Sequence, residues 1–216
     1  RPQSIFFFPK NARTEKLIMH EVGCAVGNTI FPLSQKYSDR LKIYGYDFSP
    51  RAIQMIRENP AYDLSKMEAD VCDLVNDPIP KNFPLGKRLW FLIRIADFVT
   101  CIFIISAISP ENHEYCMRKL YDSMKSDSWL WFRDYGRYDM AQLKLAARNK
   151  AKLGENFYSK SDGTRCFYFE KEELSKLMEK IGFQVKDTEY KYRVVENRKE
   201  NLKMKRVWIQ ALFYKP

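Results

Sequence analysis

Along this chain, short β-rich apolar runs alternate with longer stretches of helical spacing. That is the pattern of βα units feeding a mostly parallel sheet. Lys16 to Val22 and Leu41 to Tyr46 read as the first two strands, with a helix over Thr29 to Tyr37 between them. Ser49 and Pro50 make an N-cap followed by a first-position proline, which predicts a helix to about Glu58, where Asn59-Pro60 stops it. Met67 to Cys72 is a weaker third strand ending at Asp73, Phe98 to Ile105 a buried fourth, and Ser128 to Arg133 a fifth. Helices are expected from about Glu111 to Met124 behind Pro110, over Met140 to Asn149, and over Glu170 to Lys180, with Gly182 as the C′ residue of the last. Lys150 to Arg165 reads as a polar loop. Phe183 to Val194 and Met204 to Tyr214 are two long strands joined by the charged stretch Glu196 to Lys203, and an antiparallel pairing fits them. Pro78 to Ile95 mixes Pro80, Pro84 and Gly86 with an apolar run and matches no element.

The turn after the first strand reads Glu21-Val22-Gly23-Cys24-Ala25-Val26-Gly27-Asn28, and Asp47 closes the next strand. An acidic residue about 20 residues beyond a glycine-rich strand-to-helix turn suits a nucleoside, because its carboxylate can accept the ribose hydroxyls. A dinucleotide fingerprint wants glycines at positions 1, 3 and 6, and from Gly23 those positions hold Gly23, Ala25 and Asn28. That register fails twice. The register acid-x-Gly-x-Gly-x-Gly suits S-adenosylmethionine and fails only at Ala25. This ligand carries no pyrophosphate, and its ammonium and sulfonium groups favour a nearby acid such as Glu21. An ordinary strand-helix turn remains the plain alternative. Asp47, Asp73 and Asp134 all fall at strand ends, where ligands of open α/β sheets sit.

With 216 residues and 45% hydrophobic content, the chain has material for one substantial core and a single domain. Its 37 Lys and Arg outnumber 27 Asp and Glu, a net charge of +10 that points to a polyanionic partner, nucleic acid first. Cys24, Cys72, Cys101, Cys116 and Cys166 include no C-x-x-C pair, and His20 and His113 are the only histidines, so no metal site is expected. Cysteines inside apolar runs read as small buried hydrophobes of a reducing, cytoplasmic compartment. No signal peptide is visible, and no apolar run reaches the ~18 residues of a membrane span. The chain begins at Arg1 without Met and soon enters its first strand, which is read as a fragment with an N-terminal portion missing.

The second half carries the specific blocks: Phe132-Arg133-Asp134-Tyr135-Gly136-Arg137-Tyr138-Asp139, then Glu155-Asn156-Phe157-Tyr158, then Asp162-Gly163-Thr164-Arg165, then Arg206-Val207-Trp208-Ile209-Gln210. In that order they resemble the eukaryotic methyltransferase-like proteins that make 3-methylcytidine in tRNA. Glu21 to Leu33, Cys72-Asp73-Leu74 and Ile102 to Pro110 agree, so the resemblance covers nearly the whole chain. It implies a Rossmann-like class I methyltransferase fold, an α/β architecture with a mostly parallel seven-stranded sheet, a C-terminal antiparallel hairpin and helices on both faces. It also implies S-adenosylmethionine as donor, cytidine 32 of the tRNA anticodon loop as target, and an aminoacyl-tRNA synthetase or other adaptor as a further partner. Carried over residue by residue, Gly23 and Gly27 shape the methionine pocket, Asp47 holds the ribose, Asp73 approaches the adenine amino group, and Ile104 and Ser106 line the donor pocket. Arg133, Asp134 and Tyr135 border the target base.

Cytosine N3 has a free lone pair at neutral pH, so placement and water exclusion are the expected catalytic means. Asp134 is expected either to accept a hydrogen bond from the exocyclic amine or merely to brace a helix start. Tyr135 and Tyr158 are the aromatic faces expected to receive an unstacked base. Arg137, Lys160 and Arg165 belong to an expected phosphate track, which Arg198, Lys199, Lys203, Lys205 and Arg206 extend if they are more than a solvated hairpin tip. Three departures from the family are visible. Ala25 replaces a glycine, at a cost of roughly 1 to 2 kcal/mol if that position needs φ > 0. Lys125-Ser126-Asp127-Ser128 replaces Pro-Gly-Gly, and the segment that precedes the first strand in the family is absent. These departures motivate the rival reading of a catalytically impaired relative that binds RNA or a partner. A small-molecule methyltransferase, the third reading, has no use for the basic loop.

Overall fold

A computed structural model describes residues 16–79, 96–148, 150–197 and 202–216. Pro80 to Ile95, Asn149, Arg198 and Lys199 lie outside the described residues. Five strands run parallel: β1 (Leu17–Val22), β2 (Leu41–Asp47), β3 (Met67–Val71), β4 (Ala96–Ile102) and β5 (Met124–Tyr135). Helix α1 (Ile30–Lys36) joins β1 to β2, α2 (Pro50–Arg57) joins β2 to β3, and α3 (His113–Asp122) precedes β5. After α4 (Met140–Ala146) come three short strands, β6 (Lys152–Gly154), β7 (Phe157–Ser159) and β8 (Arg165–Phe167), then α5 (Lys171–Ile181) and the long pair β9 (Gln184–Asn197) and β10 (Leu202–Lys215). The main sheet has the order β3-β2-β1-β4-β5-β10-β9, with β10 antiparallel to both its neighbours. The order reverses between β1 and β4, so the ligand crevice of such a sheet opens at the carboxyl ends of those two strands.

Strand alternation divides the core in two. On one face Met19, Leu41, Ile43, Met67 and Phe98 pack under Ile30 and Leu33 of α1 and Ile53 and Ile56 of α2. On the other, Tyr44, Tyr46, Val99, Leu130, Phe132 and Phe213 pack under Met117 and Leu120 of α3 and Leu174 and Met178 of α5. Successive strand residues point to opposite faces, so a sheet covered on both sides reads as nearly continuous apolar runs. Local signals set the ends of the helices. Ser49 Oγ accepts from Ala52 N at 3.3 Å, and Gly182 takes φ +118° after α5.

The structure differs from the sequence expectations in four places, one being α4, which ends at Ala146 short of the expected Asn149. The fourth strand ends at Ile102, and Ile105–Ala107 form a 3₁₀ turn instead of continuing it. The helix after Pro110 stops at Asp122, and Met124 already belongs to β5; Lys125 to Ser128 form an irregularity in the β4–β5 ladder, with Asp127 at φ +58°. The stretch from Lys150 to Arg165 is not a plain loop: β6, β7 and β8 form a three-stranded sheet over Leu145, Ala151, Tyr158, Cys166 and Tyr168. Strands of three residues are too short to show a period of two.

Asp139 ties this small sheet region to the main one. It has no exposed surface, caps α4 through Ala141 N (2.7 Å), and accepts from Arg206 Nε (2.8 Å) and Val207 N (2.8 Å) of β10. Breaking a buried ion pair from one side leaves its partner's charge and N–H groups uncompensated. Asp139→Ala is therefore expected to cost about 3 kcal/mol, read as a lower urea midpoint at unchanged m-value. A shift below about 1 kcal/mol would show that water replaces all three bonds.

Candidate functional site

The turn leaving β1 is built from left-handed residues: Gly23 at φ +75°, Ala25 at +46° and Gly27 at +88°. Gly23 N and Cys24 N both donate to Tyr46 O, at 2.7 and 3.0 Å, which pins the turn to the end of β2. Asp47 completes the clamp. Its Oδ2 accepts from Ala25 N and its Oδ1 from Ser49 N, each at 2.9 Å, so one carboxylate joins the turn to the cap of α2. Each oxygen keeps a further lone pair for a ligand hydroxyl. A Cβ on Gly23 would lie 1.7 Å from Ile104 Cδ1, so the Ile104 side chain packs on the glycine, and only glycine suits both that space and that φ. Ala25 carries its Cβ at a left-handed φ, the strain expected of it, about 1 kcal/mol.

Glu21 lies beneath this turn, 5% exposed, with Oε2 lacking a partner among the described residues. Burial pushes its carboxyl up to about 7, against the pull of a hydrogen bond from Thr29. A buried acid with an open acceptor suits a cationic ligand group. Asp73, after β3, is bound into its own loop: Val75 N and Asn76 Nδ2 donate to its two oxygens at 2.8 Å, and these bonds hold its pKa below the usual carboxylate range.

Beside Gly23, the residues after β4 meet those of β5. Asp134 has no exposed surface. Its Oδ2 accepts from Ser106 N and its Oδ1 from Tyr135 N, both at 2.9 Å, with Ile104 N and the Ser106 hydroxyl as further donors. Burial raises its carboxyl to about 6 although these bonds pull it down. Of the two roles expected for Asp134, this arrangement favours the brace, since its oxygens already accept from backbone N–H groups and the side chain has no exposed surface. Ser106, also buried, belongs to that brace.

Arg133, Tyr135 and Lys160 do come together. Lys160 Nζ stands 5.4 Å and the Arg206 guanidinium 5.3 Å from the Tyr135 ring centre, and Arg133 lies 5.8 Å from that of Trp208. Burial, and behind it the charge of Arg193, hold the pKa of Arg133 below the usual arginine value. Phe103, at φ +59°, places its ring 5.0 Å from Tyr135 and 5.6 Å from Trp208. The Trp208 indole N–H is buried without an acceptor among the described residues. Phe103 and Trp208 were missed as site residues, although both lie in sequence blocks that carried the family resemblance.

The other expected RNA contacts are placed elsewhere. Tyr158 is buried in the core of the small sheet, edge-on to Tyr168 at 5.9 Å, and offers no open face. Arg137 is paired with Glu170 at 2.6 Å. Arg165 donates to Ser109 Oγ at 2.7 Å and lies over Phe157.

Glu21 gives the site a pH signature. Its folded-state value lies above its ordinary 4.5, so the folded protein holds the extra proton. The resulting stability is complete below about pH 4.5 and is lost as the pH rises through about 7. Glu21→Gln is expected to flatten that part of the profile, gaining roughly 2 to 3 kcal/mol over the parent at pH 8 and little at pH 5. Parallel stability profiles for the two proteins would refute an unpaired buried carboxyl here.

Residues 5–188 match a family model described as a methyltransferase domain. The chain is 38% identical over 202 residues to tRNA N(3)-cytidine methyltransferase METTL6 of Homo sapiens, which covers 94% of this chain and 67% of that protein. It is 35% identical over 206 residues to O-methyltransferase 3 of Dictyostelium discoideum, covering 95% of this chain and 45% of that protein. The chain thus spans between about half and two thirds of the length of these relatives. A SAM-dependent methyltransferase of Methanosarcina mazei has the same fold, with a TM-score of 0.65 at 16% identity over 93% of each chain. By its sequence, its strand order and the turn that joins β1 to Asp47, the chain belongs to the class I methyltransferases and, among them, to the eukaryotic tRNA N(3)-cytidine methyltransferase family.

Proposed function

We propose that this chain methylates N3 of a cytidine in tRNA, at position 32 of the anticodon loop, with S-adenosylmethionine as donor. One juxtaposition carries the proposal. Ile104 packs on Gly23 of the left-handed turn, and its neighbour Phe103 packs tilted against Tyr135 and edge-on against Trp208. Consecutive residues therefore belong to the donor side and to an aromatic, cationic side suited to a base.

The residues at the turn fit the donor. Glu21 has an unpartnered buried oxygen for a cationic group, Asp47 has lone pairs for ribose hydroxyls, and Gly23, Gly27 and Ile104 shape the wall between them. Asp73 stands at the next strand end, where an adenine amino group is expected. Bound there, S-adenosylmethionine supplies an electrophilic methyl to the N3 lone pair, and a positive charge passes from sulfur to the base. No general base is required of the protein, because that lone pair is free at neutral pH. Phe103, Tyr135 and Trp208 offer ring surfaces to an unstacked loop base and keep water from it. Arg133 and Lys160 bring positive charge to the adjoining phosphates. Asp134 acts through Ile104, Ser106 and Tyr135 as a positioning residue. An aminoacyl-tRNA synthetase or other adaptor and a cytoplasmic setting complete the proposal, the latter supported by five buried, unbridged cysteines.

Ala25, strained where the family has glycine, favours a second reading: a relative that binds RNA or a partner without turnover. Calorimetric titration with S-adenosylmethionine separates the two. Micromolar-range binding, weakened at least tenfold by Asp47→Ala and kept or improved by Ala25→Gly, is expected of the enzyme. Absence of heat from both the parent and Ala25→Gly would favour the second reading. In a tRNA methylation assay, Tyr135→Ala is expected to lower kcat/KM for tRNA by about 10- to 100-fold while donor affinity holds. Equal losses in both quantities would place Tyr135 in the donor site or in the fold instead.

A further inference from the structure

Beyond its last pairing with β5, β10 continues with β9 as a two-stranded ribbon. Trp208 is the final β10 residue opposite β5, whereas the pairing with β9 runs on from Val207↔Tyr192 to Leu202↔Asn197. At the strand rise of ~3.4 Å per residue, these six rungs reach about 20 Å. Because β10 is antiparallel to β5, the ribbon leaves from the carboxyl end of the parallel strands, the end that holds Gly23, Asp47 and Phe103.

Directly opposed residues of an antiparallel pair share a face. The register therefore puts Arg133 and Tyr135 of β5, Gln210, Trp208 and Arg206 of β10, and Arg193 of β9 on one face. Arg193 stands directly across from Arg206, a like-charge pairing that disfavours the ribbon on its own. Asp139 compensates Arg206, whereas exposed Arg193 has no acidic partner among the described residues, and Arg133 bonds to the neutral amide of Gln210. Lys205, exposed and unpaired among the described residues, points to the opposite face with Val194, while Lys191 and Lys203 are compensated by Glu189 and Glu196. Tyr192 and Val194 are 75% and 60% exposed on this slender extension. An isolated two-stranded ribbon is marginal in water, and one that also gathers unneutralised cations is best suited to a polyanion.

We propose that the β9–β10 ribbon is a phosphate clamp for the RNA strand flanking the target nucleotide, with Arg193 as its main contact, acting beside Arg133 on the same sheet face. The clamp rests on the proposed RNA methyltransferase function. It is sequence-independent, and it sets affinity and register without touching the reacting atoms.

The test is fluorescence anisotropy of a labelled anticodon stem-loop RNA across a salt series, with donor titration and methylation kinetics in parallel, on the parent, Arg193→Ala, Arg193→Lys and Lys205→Ala. Arg193→Ala is expected to weaken RNA binding about 5- to 10-fold at moderate salt and to reduce the salt slope by about one. Arg193→Lys should restore most of the slope, and Lys205→Ala, on the opposite face of the ribbon, should leave both affinity and slope nearly unchanged. KM for RNA rises with kcat and donor affinity within twofold, and the melting temperature holds or rises because the repulsion with Arg206 is relieved. RNA binding and salt slope left intact by Arg193→Ala would overturn the clamp alone, as for a ribbon that serves a protein partner. Salt-insensitive or absent RNA binding by the parent, with donor binding retained, would overturn the RNA methyltransferase reading and the clamp with it.

Discussion

The buried carboxylate of Asp134 is the interaction on which the rest of the site depends. It gathers the N–H groups of Ile104, Ser106 and Tyr135, so the chain leaving β4 turns at one place only. A carboxyl raised to about 6 costs roughly 3 kcal/mol at neutral pH relative to a solvated one. That cost is what remains after the hydrogen bonds have offset part of the desolvation, and the packing around the turn carries it. The turn so held aims Ile104 at Gly23 and Phe103 at Tyr135 and Trp208. The spacing between the Gly23 turn and the Tyr135–Trp208 cluster is therefore set by a residue with no exposed surface.

A second acid does similar work across the crevice. Asp47 bonds to the β1 turn and to the cap of α2 with separate oxygens, as Asp139 bonds to α4 and to β10. Strand ends expose N–H groups that have no ladder partner, and short acidic side chains satisfy them at the points where a ligand must approach. Two of the left-handed non-glycine residues lie at the same points. Ala25 and Phe103 both hold left-handed conformations that only the surrounding bonds and packing can impose, as expected where geometry serves a site more than stability.

Periodicity and punctuation made most of the main sheet legible. Ser49-Pro50 and Gly182 act within a few residues of themselves, and apolar runs buried on both faces leave little choice but strand. The same signals are silent for β6, β7 and β8, which are three residues each and owe their pairing to the cluster around Tyr158, Cys166 and Tyr168. In the site, Gly23, Asp47, Arg133 and Tyr135 were legible from their blocks. Whether an acid faces a ligand or a backbone, as with Asp134, or whether an aromatic is open or enclosed, as with Tyr158, depends on neighbours far along the chain. The pairing of Arg137 with Glu170 and the approach of Phe103 to Trp208 are likewise long-range.

By itself the sequence determined the class of fold, the left-handed turn with its partner acid, the family and the excess of positive charge, because each is written in local order and composition. The tertiary structure alone decided which charges remain uncompensated. Arg193 and Arg206 are thirteen positions apart in sequence and directly opposed in space, and only the antiparallel register of β9 on β10, projecting past the end of β5, puts that repulsion beside the crevice. Electrostatic interaction falls with distance through space and takes no account of distance along the chain, so no reading of residue order reaches it.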